Sequence, residues 1–342
     1  MITAELETIA QKMVADGKGI LAADESTGTI QKRFDAIGVQ NTEDNRRDYR
    51  ELMFRTAPAM RDYISGVILF DETIRQKAKD GTALVKLIED AGSIPGIKVD
   101  AGAKPLAGCP GETITEGLDG LGGRLKEYYD LGARFAKWRG VIDIGAGIPS
   151  QTAVRTNAHA LARYAALCQE NKIVPIVEPE VLMDGDHGIE RCYEVTEAVL
   201  KAVFEELFLQ RIRLEGMVLK PNMIVPGKKS RSGASVEEVA EKTVRVLKNC
   251  VPGAVPGIAF LSGGQSDEEA TAHLDAMVKL GNLPWKLTYS YGRALQAAPQ
   301  KAWSGKAENV AAAQAAFNHR ARMNSLAAQG QWSAEQERKA AA

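Results

Sequence analysis

The sequence predicts an α/β chain closed into a single (β/α)8 TIM barrel, with extra helices at its N- and C-terminal ends. Short apolar runs alternate with longer stretches of helical period along the whole chain, as βα units around a parallel sheet require. Most of these runs are continuously apolar rather than alternating, as strands covered on both faces are. No Pro/Gly/Ser-rich linker divides the 342 residues, so the whole of 1–342 reads as one domain, at a length that barrels with insertions reach. A doubly wound open sheet is the structural alternative for the same pattern.

The apolar runs, in order, are Gly19–Ala23, Ile64–Phe70, Ile94–Val99, Phe135–Ile142, Ile173–Val177, Leu214–Leu219, Gly257–Leu261 and Lys286–Ser290. Helical period marks Asn157–Gln169, Ile189–Phe208, Val236–Lys248 and Asp267–Leu280 between them. Ser235, followed by Val-Glu-Glu, supplies an N-cap and acid for the first turn of the third of these. The Gly- and Pro-rich stretch Ala101–Leu121 reads as one long βα loop. Ala311–Ala328 predicts a helix, and Gly330–Ala342 a polar C-terminal tail.

A formal net charge of -1 leaves no basic excess to neutralise phosphates along a polymer, which argues against nucleic-acid or membrane-surface partners. Cys109, Cys168, Cys192 and Cys250 are scattered without CxxC spacing, a pattern of reduced thiols. The four histidines form no HxH, HExxH or His/Cys cluster, so no protein-held metal is expected. Met1–Lys18 is a charged amphipathic stretch and not a signal peptide. No apolar run approaches the roughly 18–20 residues that span a bilayer. These features predict a cytoplasmic protein.

Barrels carry function at the C-terminal ends of their strands. The residues there are Asp24, Asp71 and Glu72, Lys98, Lys137 with Arg139, Glu178 with Glu180, Lys220, Ser262 and Arg293. An ionisable or small polar group thus ends almost every run at one mouth. Lys220 terminates the apolar segment GMVLKPN; alone, such a lysine can equally snorkel to solvent. With Lys98 and Lys137 converging on the same mouth, some free amine is favoured, as carbonyl addition and imine formation need. Glu178 and Glu180 lie two apart on extended chain and so share a side unless Pro179 reorients one; paired carboxylates suit acid and base steps. Glu178 reads as the catalytic one and Glu180 as a structural ion-pair partner. Asp24 is either a second base or a helix N-cap.

Two glycine-rich turns follow the last two runs: Ser262-Gly263-Gly264 and Gly292-Arg293. Close backbone approach, helix N-terminal amides and an arginine fork suit a phosphate there. Ser26, Thr29 and Lys98 form a candidate second anion site. The expected ligand is a small molecule with a phosphate at each end and the lysines between.

These segments, KGILAADEST from Lys18, DNRR from Asp44, GVILFDET from Gly66, GIKVD from Gly96, PLAG from Pro105, TEGLDGL from Thr115, FAKWR from Phe135, IVPIVEPE from Ile173, LKPNM from Leu219, FLSGGQS from Phe260 and SYGRALQ from Ser290, together resemble class I fructose-1,6-bisphosphate aldolases. The resemblance runs in order over nearly the whole chain. It implies a glycolytic and gluconeogenic lyase that reversibly cleaves fructose 1,6-bisphosphate to dihydroxyacetone phosphate and glyceraldehyde 3-phosphate. It further implies no cofactor, no metal and a cytoplasmic homotetramer.

Carried onto this chain, the resemblance makes Lys220 the imine-forming residue and Glu178 the proton-transfer group of imine formation. Asp24 becomes the base for the C4 hydroxyl, Lys137 a stabiliser of charge, and Arg139 and Glu180 their support. Ser262, Gly263, Gly264, Gly292 and Arg293 would hold the C1 phosphate, and Ser26, Thr29 and Lys98 the C6 phosphate. Two features depart from the family. Its animal members end in a tail whose terminal tyrosine assists proton exchange, whereas Gln331–Ala342 contains no tyrosine. Thr29 stands where serine is expected, keeping the hydroxyl. Other Schiff-base barrels, such as transaldolases, and a non-catalytic barrel scaffold are the alternatives.

Overall fold

Each of the eight apolar runs contains a strand in the computed structural model of the protein, which describes residues 2–339. In chain order the strands are β1 Gly19–Ala23, β2 Ile64–Leu69, β3 Ile94–Lys98, β4 Ala103–Pro105, β5 Thr113–Thr115, β6 Phe135–Ile142, β7 Val174–Val181, β8 Val218–Leu219, β9 Gly257–Phe260 and β10 Lys286–Tyr291. Eight of them close a barrel in the order β1-β10-β9-β8-β7-β6-β3-β2. Every pairing in it is parallel. The open-sheet alternative is thereby excluded.

Two apolar cores result. Outward-facing strand residues such as Leu21, Val67, Trp138 and Val177 pack against the surrounding helices. Inward-facing Ile20, Ala22, Ile68, Phe135, Val174, Ile176, Val218 and Ala259 fill the barrel. Helix Ile2–Met13 closes its lower end, adding Leu6, Ala10 and Met13 to that inner cluster. The Phe135 ring occupies space that only glycine leaves open. A methyl on Gly96 would lie only 2.3 Å from the nearest ring carbons, and one on Gly66 would lie 2.8 Å from the ring.

The sixth run departs from expectation. Leu214–Gly216 is a turn of 3-10 helix, and the strand proper is only Val218–Leu219. The Lys220 amide still donates to Val177 O at 2.8 Å, and Pro221, which has no N–H, ends the pairing. The long loop after β3 contains an antiparallel hairpin, β4 with β5. Its Thr115 Oγ1 donates to Arg139 O at 2.7 Å, tying the hairpin to the barrel rim. The helix expected from Asn157 begins at Gln151, because the Ser150 side chain caps it by accepting from the Ala153 amide. The stretch expected to be a polar tail folds, within its described part, into helix Ala334–Lys339. Glu337 there takes two 2.7 Å hydrogen bonds from buried Arg320.

Overpacking a filled core costs about 1–3 kcal/mol, so Gly96→Ala should lower the thermal midpoint. Phe135→Leu in the same chain should restore part of it, giving a non-additive pair. An unchanged midpoint in Gly96→Ala would show that the ring is not held as described.

Candidate active site

Side chains alternate along a strand, so the inward positions that carry apolar residues low in the barrel continue upward to its mouth. Ile20 and Ala22 lead to Asp24; Ile94 and Gly96 lead to Lys98. Phe135 leads to Lys137 and Arg139, Val174 and Ile176 lead to Glu178 and Glu180, and Val218 leads to Lys220. Pro179 does not break this parity: Glu178 and Glu180 both line the mouth.

That mouth is a cavity of about 480 Å³. Of the residues expected at the site, Asp24, Ser26, Thr29, Lys98, Lys137, Arg139, Glu178, Glu180, Lys220, Ser262, Gly263, Gly292 and Arg293 all line it. Gly264 does not. It turns the loop after β9 at φ +77°, against Met183, and so shapes the loop without facing the cavity. Asp71 and Glu72 also lie away from the mouth, paired with Arg75 and Arg46 respectively.

At the floor the charges alternate in sign. Lys220 Nζ lies 3.1 Å from Glu178 Oε1, Lys137 Nζ lies 3.1 Å from Glu178 Oε2, and Lys137 donates to Asp24 Oδ2 at 2.8 Å. The cations expected to converge directly are therefore interleaved with carboxylates. The Lys220 side chain is only 4% exposed, so it does not snorkel to solvent. Glu178 Oε2 accepts no hydrogen bond despite its ion contact, which leaves a buried lone pair facing the lysines. Burial would raise the Asp24 carboxyl, but Lys137, then Lys220 and Lys98, hold it down to about 2. Burial would likewise push the Lys137 ammonium down, but Asp24, Glu178 and Asp100 outweigh it and keep it charged well above its ordinary range. The Asp24 side chain caps no helix; the N-cap of the next helix is Ser26.

The rim is more open and richer in donors. Ser26 Oγ and Thr29 Oγ1 lie 3.1 Å apart. Across the cavity Arg293 Nη2 rests 3.5 Å from the Ser262 and Gln265 carbonyls, on the turn after β9. Arg139 is ion-paired with Glu180, and its guanidinium is held above its usual range chiefly by that carboxylate against burial. Four further polar cavity residues escaped the sequence reading: Glu25, Lys32, Arg33 and Ser290. Arg33 was detectable, because it follows Ser26 and Thr29 at helical spacing on Thr27–Asp35. Among the described residues no group of three or more His, Cys, Asp or Glu side chains is arranged to hold a metal ion. No described helix is long and apolar enough to cross a membrane.

Comparison with known proteins agrees with this geometry. A family model described as fructose-bisphosphate aldolase class-I, of glycolysis, matches residues 5–342. A probable class 1 fructose-bisphosphate aldolase of Xanthomonas campestris is 62% identical over 329 residues, covering 96% of this chain and 98% of that one. The cytosolic fructose-bisphosphate aldolase 4 of Arabidopsis thaliana is 56% identical, covering 96% of this chain and 84% of its own. The fructose-bisphosphate aldolase of Plasmodium falciparum, solved in a ternary co-crystal with a small-molecule inhibitor, superposes with a TM-score of 0.95 at 50% identity over 97% of this chain and 96% of that one. This chain belongs to the class I fructose-bisphosphate aldolase family.

Proposed function

We propose that one aldolase domain spanning the chain cleaves fructose 1,6-bisphosphate through an imine on Lys220. The observation that carries this reading is the buried Lys220 ammonium in contact with Glu178, at the centre of a cavity with donors at both ends. After passing a proton to Glu178, 3.1 Å away, Lys220 Nζ adds as the amine to the ketose carbonyl, and Glu178 returns protons as the carbinolamine loses water. The protonated imine draws electrons from the C3–C4 bond while Asp24 takes the C4 hydroxyl proton. Glyceraldehyde 3-phosphate leaves, and the enamine takes a proton at C3. Hydrolysis then frees dihydroxyacetone phosphate and the lysine. Lys137, held cationic, stabilises negative charge developing beside Lys220.

Ser262, Gly263, Gly292 and Arg293 suit the C1 phosphate, with Gly264 fixing their turn. Ser26, Thr29 and Lys98 suit the C6 phosphate. Glu180 orients Arg139 at the rim. A cytoplasmic setting is supported by relatives named cytosolic. A homotetramer is supported by Phe208 and Leu209, 78% and 60% exposed at the end of helix Ile189–Leu209, an apolar patch suited to cover by another copy.

Borohydride with dihydroxyacetone phosphate, in chelator, should leave one adduct, on the peptide containing Lys220. No adduct, or one on Lys98 or Lys137, would sink the assignment. Glu178→Gln should slow imine formation by about 10²–10⁴-fold, the range of a general acid–base group, read as the rate of trapping. Asp24 also sets a pH dependence. Its folded pKa lies below the unfolded value of 3.8, so its stabilisation is complete above 3.8 and disappears as pH falls through about 2. That contribution is on the order of 2 kcal/mol. The stability advantage over Asp24→Asn should therefore narrow by about half between about pH 5 and about pH 3 in urea unfolding.

A further inference from the structure

Lys98 and Lys137 are direct partners across the β3–β6 pairing, an arrangement in which like charges repel. Lys137 is held by Asp24 and Glu178. Lys98 is held by a residue outside the cavity lining. Asp100 Oδ1 accepts from Lys98 Nζ at 2.7 Å, and the Asp100 carbonyl accepts from the same ammonium at 3.1 Å. The Asp100 side chain is 3% exposed. Its own placement is fixed by backbone: the Gly102 amide donates to Oδ1 at 3.1 Å and the Arg139 amide approaches Oδ2 at 3.4 Å. A buried carboxylate anchored by two amides is a rigid mount, whereas a lysine stem is flexible.

We propose that Asp100 is a positioning residue that fixes the Lys98 ammonium on the Ser26–Thr29 side of the mouth and so sets the preference for a substrate phosphorylated at that end. Without its charge, Lys98 is drawn toward the floor carboxylate Asp24, whose carboxyl it already helps to hold down. The phosphate then loses an aimed donor and the floor gains an unwanted cation. The Asp100 charge also helps keep Lys137 protonated, so its loss disturbs both lysines in the direction of mixing their tasks. This inference rests on the assignment of Lys98 to a substrate phosphate.

The test compares kcat/KM for fructose 1,6-bisphosphate with that for fructose 1-phosphate, which lacks the phosphate facing Lys98. Asp100→Asn should lower the ratio of the two about tenfold, as loss of a charge-assisted hydrogen bond does, mainly through KM of the bisphosphate. Lys98→Met should lower it at least as far, and the double variant should match Lys98→Met alone. Asp100→Glu, which restores the charge, should recover part of the ratio, and it also serves if Asp100→Asn fails to fold. Equal losses on both substrates would reduce Asp100 to a structural role and overturn the inference. So would a higher ratio, which would mean that Asp100 merely competes with the phosphate. A ratio unchanged in Lys98→Met would instead refute the Lys98 assignment on which the inference stands.

Discussion

The alternation of side chains in a closed parallel barrel is the constraint from which the rest follows. Positions that face inward cannot reach solvent low in the barrel, so Ile20, Phe135, Val174, Ile176 and Val218 fill it. Two or four residues further along each strand the same parity reaches the mouth, where ionisable groups are tolerated. Asp24, Lys98, Lys137, Glu178 and Lys220 are therefore delivered to one small volume by backbone geometry alone. The helix Ile2–Met13 seals the other end, so the inward-facing positions there stay apolar.

Bringing that charge together has a desolvation cost, which pairing offsets. A buried ion costs several kcal/mol unless it is paired. The floor meets this by alternation: Lys220, Glu178, Lys137 and Asp24 form a chain in which every member touches an opposite charge. Such a chain is neutral over its four members, which lets it survive inside a low-dielectric wall. It also ties the reactive groups into one unit. A substrate that displaces one contact changes the environment of the next.

Much of this was legible because it depends on periodicity and strand ends, which local sequence carries. The eight runs, the parity of Glu178 and Glu180, and the placement of Lys220 before Pro221 all follow from residue order. What escaped depends on contacts between distant segments. The interleaving of lysines with carboxylates needs the strand register, which no single run contains, so the sequence suggested converging cations instead. β8 shrank to Val218–Leu219 because the residues before it pack as a turn beneath the barrel, where Gly216 lies close to Leu6. The polar tail folded back because Glu337 finds Arg320, seventeen positions earlier and itself buried. Asp100 was visible in the GIKVD segment, but only the hydrogen bonds to Lys98 and the two amides give it a task.

The pairing of cations also separates two kinds of work at the mouth. Lys98, Lys137, Lys220, Arg33 and Arg139 each sit against a carboxylate. Paired cations exert little field at a distance, so these groups set geometry and act when a ligand touches them. Arg293 differs. It is exposed at the rim, held only by two carbonyls at 3.5 Å, and among the described residues no carboxylate lies within ion-pair reach of it. Lys32, an exposed cavity residue on the Ser26–Thr29 side, has no carboxylate within ion-pair reach among the described residues either, so an incoming anion meets one uncompensated cation at each end of the mouth.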